Sequence, residues 1–147
     1  MSRTQKIAYT IFIVALGGFL DAAYLTMQHY GKMIPPCQPP WDCEAVLTSA
    51  YATIQGIPIS LFGMLYYITA AVLAMVIVMK GKSLATTLLT VLIGSAFVVT
   101  VILLGLQQFV IGAYCLYCLV SAVITTVLFI LLLMLRKSPV LQSDIQN

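Results

Sequence analysis

Residues 115–135 read CLYCLVSAVITTVLFILLLML, an apolar run that begins with a C-x-x-C motif and contains no charged side chain. A helix of about 20 apolar residues is long enough to cross the hydrocarbon core of a bilayer. Comparable runs occur earlier in the chain, and the four predicted membrane spans are 7–29, 57–79, 84–108 and 111–135. We therefore predict an all-α integral membrane protein, a four-transmembrane-helix bundle that makes up a single domain over residues 1–147.

The composition supports a chain that is solvated by lipid. Of its 147 residues, 62% are hydrophobic and only 7% are charged, and the mean hydropathy is +1.08. Soluble domains carry about 25% charged residues, so this chain cannot cover a water-facing surface. The net charge of +3 is small and lies at segment ends, which gives no support to nucleic-acid binding.

The basic residues predict the orientation of the spans. All of them except Lys32 flank the same side of the predicted bundle, namely Arg3, Lys6, Lys80, Lys82, Arg136 and Lys137. Positively charged residues are enriched on the cytoplasmic side of plasma-membrane proteins. Both termini are therefore predicted to be cytoplasmic, with the loop 30–56 and the turn near 109–113 on the outer face.

The outer loop, residues 30–56, is long enough to contain structure of its own. Its first half includes PPCQPPWDC (residues 35–43), in which four prolines restrict the backbone. Asp42 is a plausible N-cap for a short helix within 44–52 that lies at the membrane interface. Gly56 then turns the chain, and Pro58 suits the first turn of the second span.

All four cysteines fall on the predicted outer side: Cys37 and Cys43 in the loop, and Cys115 and Cys118 at the start of the fourth span. Residues three apart on a helix share a face, and a helix start stabilises a thiolate at Cys115. The helical rise of about 4.5 Å over three residues places Cys118 deeper in the membrane. The two pairs can exchange a disulfide. We therefore predict a dithiol–disulfide relay that delivers electrons to a lipid-soluble quinone.

Other roles remain open for these cysteines. Cys37 and Cys43 can form a purely structural staple in a structural or regulatory membrane protein. Cys115 and Cys118 can be small apolar helix residues, or one of them can carry a palmitoyl group. A zinc site is disfavoured because His29 is the only histidine.

Asp21 is a carboxylate within the first span, and such residues are costly in hydrocarbon and often functional. It can relay a proton to a reduced quinone, or it can be a protonated or hydrogen-bonded carboxyl that faces a neighbouring helix, and we favour the second interpretation. A small four-helix transporter that uses Asp21 is the alternative from another functional class. Such a transporter would be expected to have short loops, so the long outer loop with its cysteines argues against this alternative.

Aromatic residues near the span ends are typical of a belt at the membrane interface. We assign to this belt Trp41 and the tyrosines at 24, 30, 51, 66, 67, 114 and 117.

Three segments, Cys43–Ala52, Gly56–Gly63 and Tyr114–Cys118, resemble the bacterial homologues of vitamin K epoxide reductase. The shared pattern is a cysteine pair after the first span, Ser49 six residues past the second loop cysteine, a Gly-x-Pro opening the second span and a C-x-x-C opening the fourth. The likeness covers essentially the whole chain.

This resemblance implies a four-helix bundle around a quinone, capped by the loop. It implies that Cys118 reacts with the quinone, that Cys115 exchanges with Cys43, and that Cys37 forms the mixed disulfide with a partner. The partner would be a separate, secreted thioredoxin-fold protein, which the enzyme leaves oxidised. Ser49 matches a loop serine that the family links to loop placement or catalysis.

The quinone, of the ubiquinone, menaquinone or vitamin K type, is expected to contact Cys118, Ile59, Phe62, Ala122, Tyr117 and Gln107. Ile59 and Ala122 stand where the vertebrate enzyme has a quinone-binding asparagine and tyrosine, so the contacts here should be more apolar. Epoxide reduction is therefore disfavoured. The reverse reaction, reduction of a vitamin K quinone or epoxide, is the alternative within the family.

Overall fold

The computed structural model describes residues 1–81 and 84–138. Its elements in chain order are α1 (Arg3–Tyr30), α2 (Cys43–Leu47), β1 (Thr53–Ile54), β2 (Ile57–Pro58), α3 (Ile59–Lys80), α4 (Leu84–Leu106), a π-helical segment (Gln107–Ile111) and α5 (Leu116–Arg136). Within the described residues, four helices are long and apolar enough to cross a membrane. The predicted four-helix membrane bundle is thus confirmed. Of the basic residues used for orientation, Lys82 lies outside the described residues.

Helix α1 begins at Arg3, four residues before the predicted start, because a capping box satisfies its first backbone groups. The Ser2 hydroxyl accepts from the Gln5 backbone N–H at 3.2 Å, and the Gln5 side chain accepts from the Ser2 N–H at 2.9 Å. Reciprocal capping of this kind stabilises a helix start. The polar residues ahead of the apolar run therefore belong to the helix.

The fourth span begins at Leu116 and not at residue 111 as predicted. The preceding π-helical segment ends at Ile111. Its C-cap, Gly112, has a left-handed φ of 70°, and the Gly112 N–H donates to the Gln107 carbonyl at 2.9 Å. A left-handed glycine ends a helix. The chain then runs extended to Cys115, the N-cap of α5.

A short β-hairpin with a two-residue turn leads into α3, and the sequence pattern did not predict it. Ile54 pairs with Ile57, and the intervening Gln55 and Gly56 both have positive φ, at 52° and 81°. Positive φ at both central residues is the geometry of a tight hairpin turn. Pro58 is then the N-cap of α3.

Helices α1 and α3 lie side by side along small residues. A Cβ added to Gly18 would collide with the Tyr67 ring, and one added to Gly63 would lie 3.7 Å from the Ala22 Cβ. Further along, the Thr26 hydroxyl donates to the Ser60 hydroxyl at 3.0 Å. Small residues let membrane helices approach closely. These contacts fix an antiparallel register in which residue 18 lies level with residue 67.

Tyr67 joins three helices and does not belong to an aromatic belt, so that part of the belt assignment is wrong. Its side chain on α3 is only 1% exposed. Its ring fills the space above Gly18 on α1, and its hydroxyl lies 2.6 Å from the Ser121 Oγ and 3.1 Å from the Thr125 Oγ1 on α5. A buried tyrosine hydroxyl normally finds such partners. We call this arrangement the Tyr67 junction.

The Tyr67 junction divides the bundle into two halves. On the side of Arg3, Lys80 and Arg136, the helices share one continuous apolar core, here called the packed half, made by residues such as Ile11, Ala74, Leu89 and Leu132. On the opposite side, all four long helices line a cavity of about 660 Å³. We call this the hollow half.

The packing of Gly18 gives a direct test of the Tyr67 junction. Gly18→Ala should lower the free energy of unfolding by about 1–3 kcal/mol because the new methyl group must displace the Tyr67 ring. Gly17→Ala is the matched control, since nothing lies within 4 Å of the Cβ that it adds. Thermal unfolding in detergent should separate the two variants, and equal transition temperatures would contradict the close contact.

Candidate active site

The two loop cysteines are joined to each other. Cys37 and Cys43 form a disulfide with their Cα atoms 5.9 Å apart. Cys43 is the first residue of α2, which Asp42 caps as predicted by accepting from the Ala45 N–H at 3.0 Å. The helix ends at Leu47, earlier than expected. Cys43 is fully buried, whereas Cys37 is partly exposed.

All four cysteines belong to one apolar cluster at the end of the hollow half. Cys43, Val46 and Cys115 form its buried centre, and Cys37 and Cys118 pack against them with other apolar side chains. We call this group the cysteine cluster. It brings the loop disulfide of α2 together with the C-x-x-C at the start of α5, where Cys115 and Cys118 are free thiols.

Two hydrogen bonds hold the loop against the C-x-x-C. The Asp42 backbone N–H donates to the Tyr114 carbonyl at 2.9 Å, which joins the residue before Cys43 to the residue before Cys115. The Tyr117 hydroxyl donates to the Pro36 carbonyl at 3.2 Å, next to Cys37. The residue before each loop cysteine is therefore hydrogen-bonded to a residue next to Cys115 or Cys118.

Cys115 lies in a setting that favours its thiolate. The Cys118 thiol hydrogen-bonds to its sulfur, and this bond, together with backbone N–H groups of Tyr117 and Cys118, lowers the pKa of Cys115 from 9.0 to about 7, although burial opposes the shift. Its backbone N–H donates to the buried Gln107 side chain at 3.2 Å. A thiolate, and not a thiol, is the nucleophile in disulfide exchange.

Cys118 lies at the boundary between the cysteine cluster and the cavity. It lines the cavity wall, whereas Cys115 does not. Of the other residues assigned to quinone contact or catalysis, those that line the cavity are Ile59, Phe62, Ala122, Gln107 and Ser49. Tyr117 is not among the lining residues, and its ring lies instead 5.5 Å from that of Tyr24.

Residues 9–133 match the sequence model of the vitamin K epoxide reductase family. The chain belongs to the vitamin K epoxide reductase family. A comparison with individual curated proteins gave no match. Membership indicates an oxidoreductase, in a family whose enzymes use quinones, and the four apolar helices fit a multi-pass membrane protein. The described residues contain no group of three or more His, Cys, Asp or Glu side chains that could hold a metal ion.

Ser49 supports the end of the loop helix above the cavity. Its hydroxyl donates to the Val46 carbonyl at 2.8 Å, and Val46 belongs to the buried centre of the cysteine cluster. Ser49 therefore touches both the cavity and the chain segment that carries Cys43. The expected role of Ser49 in loop placement or catalysis stays a prediction.

Residues that the sequence pattern did not single out also line the cavity of this family member. Helix α4 contributes several, among them Leu92, Ser95, Val99 and Leu103, and α3 contributes Tyr66. Tyr66 had been assigned only to the aromatic belt. An apolar helix face gives the same pattern whether it contacts lipid, protein or a ligand.

The pKa of Cys115 can be followed by thiolate absorbance near 240 nm in protein whose loop disulfide is intact. The thiolate should form as the pH rises through about 7 in the wild type. Cys118→Ala removes the main hydrogen-bond donor, so the midpoint should move upward towards 9.0. Cys118→Ser is the matched control because its hydroxyl can still donate. A midpoint that stays near 7 in Cys118→Ala would refute this cause of the shift.

Proposed function

We propose that this protein is a quinone-dependent thiol oxidoreductase that generates disulfides. Electrons would pass from the thiols of a secreted thioredoxin-fold protein to the pair Cys37 and Cys43, then to Cys115 and Cys118, and finally to a membrane quinone. The observation that carries the proposal is the position of Cys118, which contacts the cysteine cluster on one side and lines the apolar cavity on the other.

The first step takes place at Cys37. A thiolate of the partner attacks the Cys37 sulfur, the Cys37–Cys43 bond breaks, and Cys43 leaves as a thiolate. The second partner thiol then displaces Cys37, so the partner is released with a disulfide and the loop pair is left reduced. The partial exposure of Cys37 and the full burial of Cys43 favour attack at Cys37.

The second step is internal exchange between the pairs. The Cys43 thiolate attacks the Cys115 sulfur of an oxidised C-x-x-C, Cys118 leaves, and Cys37 then displaces Cys115 to restore the loop disulfide. Two electrons have now moved to Cys115 and Cys118. The arrangement with a loop disulfide and two free thiols corresponds to the state directly after this exchange.

The cavity fits a quinone in size and polarity. Its walls include the apolar side chains of Ile59, Phe62 and Ala122, and ligand cavities are typically about 300–1,000 Å³. A bound quinone supplies an acceptor for two electrons and two protons. Cys118 provides the sulfur that faces it, and Cys115, with its lowered pKa, closes the C-x-x-C disulfide onto Cys118.

The orientation follows from the charges. The packed half ends near Arg3, Lys6, Lys80 and Arg136, and the cysteine cluster lies at the opposite end. With the basic end in the cytoplasm, the cysteines face the outer compartment, where disulfides persist and a secreted partner is present.

Replacement of Cys118 provides the decisive experiment. Cys118→Ala should reduce quinone reduction by a dithiol thioredoxin-fold protein to the background rate, measured by quinone absorbance with purified enzyme. Val120→Ala, on the exposed face of the same helix, is the matched control and should retain full activity. Quinone reduction by Cys118→Ala at the wild-type rate would refute the proposed electron path.

Trapping identifies the cysteine that meets the partner. With a partner that retains only its attacking cysteine, activated as a mixed disulfide with thionitrobenzoate, Cys43→Ala should accumulate a mixed disulfide through Cys37. Thionitrobenzoate leaves, and neither the partner nor the loop then has a second thiol that can release the partner. Cys37→Ala should not accumulate a mixed disulfide, because Cys43 is buried. Non-reducing gels followed by peptide mass analysis distinguish the two variants, and the opposite pattern would reverse the assigned roles of the loop cysteines.

A further inference from the structure

The cavity contains polar atoms that form no hydrogen bond within the protein. Among the described residues, three lining side chains have a buried oxygen without a partner: Asp21 through Oδ2, Gln28 through Oε1 and Tyr66 through its hydroxyl. Unpaired buried polar atoms are uncommon because they lose their hydration without compensation. Their presence in a cavity wall indicates a ligand that carries its own polar atoms.

Asp21 and Tyr66 lie at the floor of the hollow half. Asp21 precedes Ala22, which lies opposite Gly63, and Tyr66 precedes the central tyrosine of the Tyr67 junction. Gln28 lies about two turns further along α1, beside His29 and Lys32 and away from the floor. The two floor residues therefore come from neighbouring helices at nearly the same depth.

The floor lies below the sulfur that faces the cavity. Cys118 precedes Ser121 by three residues on α5, and Ser121 belongs to the Tyr67 junction. Three residues of helical rise, about 4.5 Å, therefore separate the depth of Cys118 from the depth of the junction. Asp21 and Tyr66 would therefore be within reach of a ring bound beside Cys118.

The other polar groups at this depth already have partners. The Tyr67 hydroxyl is bound to Ser121 and Thr125. Thr125 is also a polar neighbour of the Tyr66 hydroxyl, but the two do not meet in hydrogen-bonding geometry, so Tyr66 retains its donor for a ligand. The side chain of Ala122 cannot form a hydrogen bond. Tyr66 can donate through its hydroxyl, and a carboxyl in hydrocarbon is stable in its protonated form, which can also donate.

We propose that Tyr66 and protonated Asp21 form the polar floor of the quinone site and donate hydrogen bonds to a carbonyl oxygen of the quinone. This inference rests on the proposed function and adds the residues that recognise the head group. The apolar side chains of Ile59 and Phe62 contact the rest of the ring, and Cys118 lies above the floor.

A matched pair of ligands isolates the carbonyl interaction. The full chain carrying Cys118→Ser, which cannot transfer electrons through that sulfur, is titrated with 2,3-dimethyl-1,4-naphthoquinone and with 2,3-dimethylnaphthalene, which lacks the carbonyls. Adding Tyr66→Phe should weaken quinone binding about tenfold, as expected for one hydrogen bond, and change hydrocarbon binding by less than about twofold. Tyr9→Phe, remote from the cavity, is the control.

Two substitutions test the carboxyl. Asp21→Leu should weaken quinone binding about tenfold, whereas Asp21→Asn keeps an N–H donor and should stay within about threefold of the parent. The carbonyl stretch of ¹³C-labelled quinone provides an independent measurement. It should shift to higher frequency in Tyr66→Phe and Asp21→Leu because the carbonyl loses a donor.

The inference would be overturned if Tyr66→Phe and Asp21→Leu bound the quinone with the affinity of the Cys118→Ser parent and left the carbonyl stretch unchanged. It would also be overturned if both substitutions weakened binding of the quinone and of the hydrocarbon by the same factor. Failure of the Cys118→Ser parent to bind the quinone would overturn it as well. The proposed function is judged separately, from quinone reduction by the wild type with a dithiol partner. If the wild type turns over while the floor variants bind normally, only the inference about the floor fails.

Discussion

The contact between Gly18 and the ring of Tyr67 is the interaction on which the rest of the structure depends. It sets the separation and register of α1 and α3, and it directs the tyrosine hydroxyl to Ser121 on α5. Three helices are thereby held at one level of the bundle. Below this level the helices fill the space between them, and above it they separate around the cavity.

The four cysteines lie together at the end that the Tyr67 junction leaves open. The loop reaches over this end and is fixed to α5 by the bonds from Asp42 to Tyr114 and from Tyr117 to Pro36. Because these bonds flank the cysteines, the two sulfur pairs are held near each other without a covalent link between the pairs. Disulfide exchange needs this proximity, because a mixed disulfide must form between the two pairs. That mixed disulfide must also be broken again for the exchange to be completed.

The sequence was sufficient to predict the membrane-spanning helices, because a segment that crosses the hydrocarbon core must be long and apolar. Four apolar runs predicted four spans, and Asp42 marked the start of α2 correctly, whereas the start of the fourth span was predicted five residues too early. The Tyr67 junction, the cavity and the floor residue Tyr66 were not predictable from the pattern. In water, a helix face that packs against protein is more apolar than one that faces solvent, but in a bilayer both faces are apolar. A tyrosine at an interface and a tyrosine at a junction therefore look alike in the sequence.

The division of the bundle at Tyr67 separates the residues that hold the protein together from the residues that line the cavity. Large buried side chains such as Ile11, Leu89 and Leu132 lie in the packed half, and none of them lines the cavity. Changes to the cavity wall therefore leave most of the apolar core intact. Mutations can therefore change which ligand the cavity of such a bundle accepts, while the same core continues to anchor the protein in the membrane.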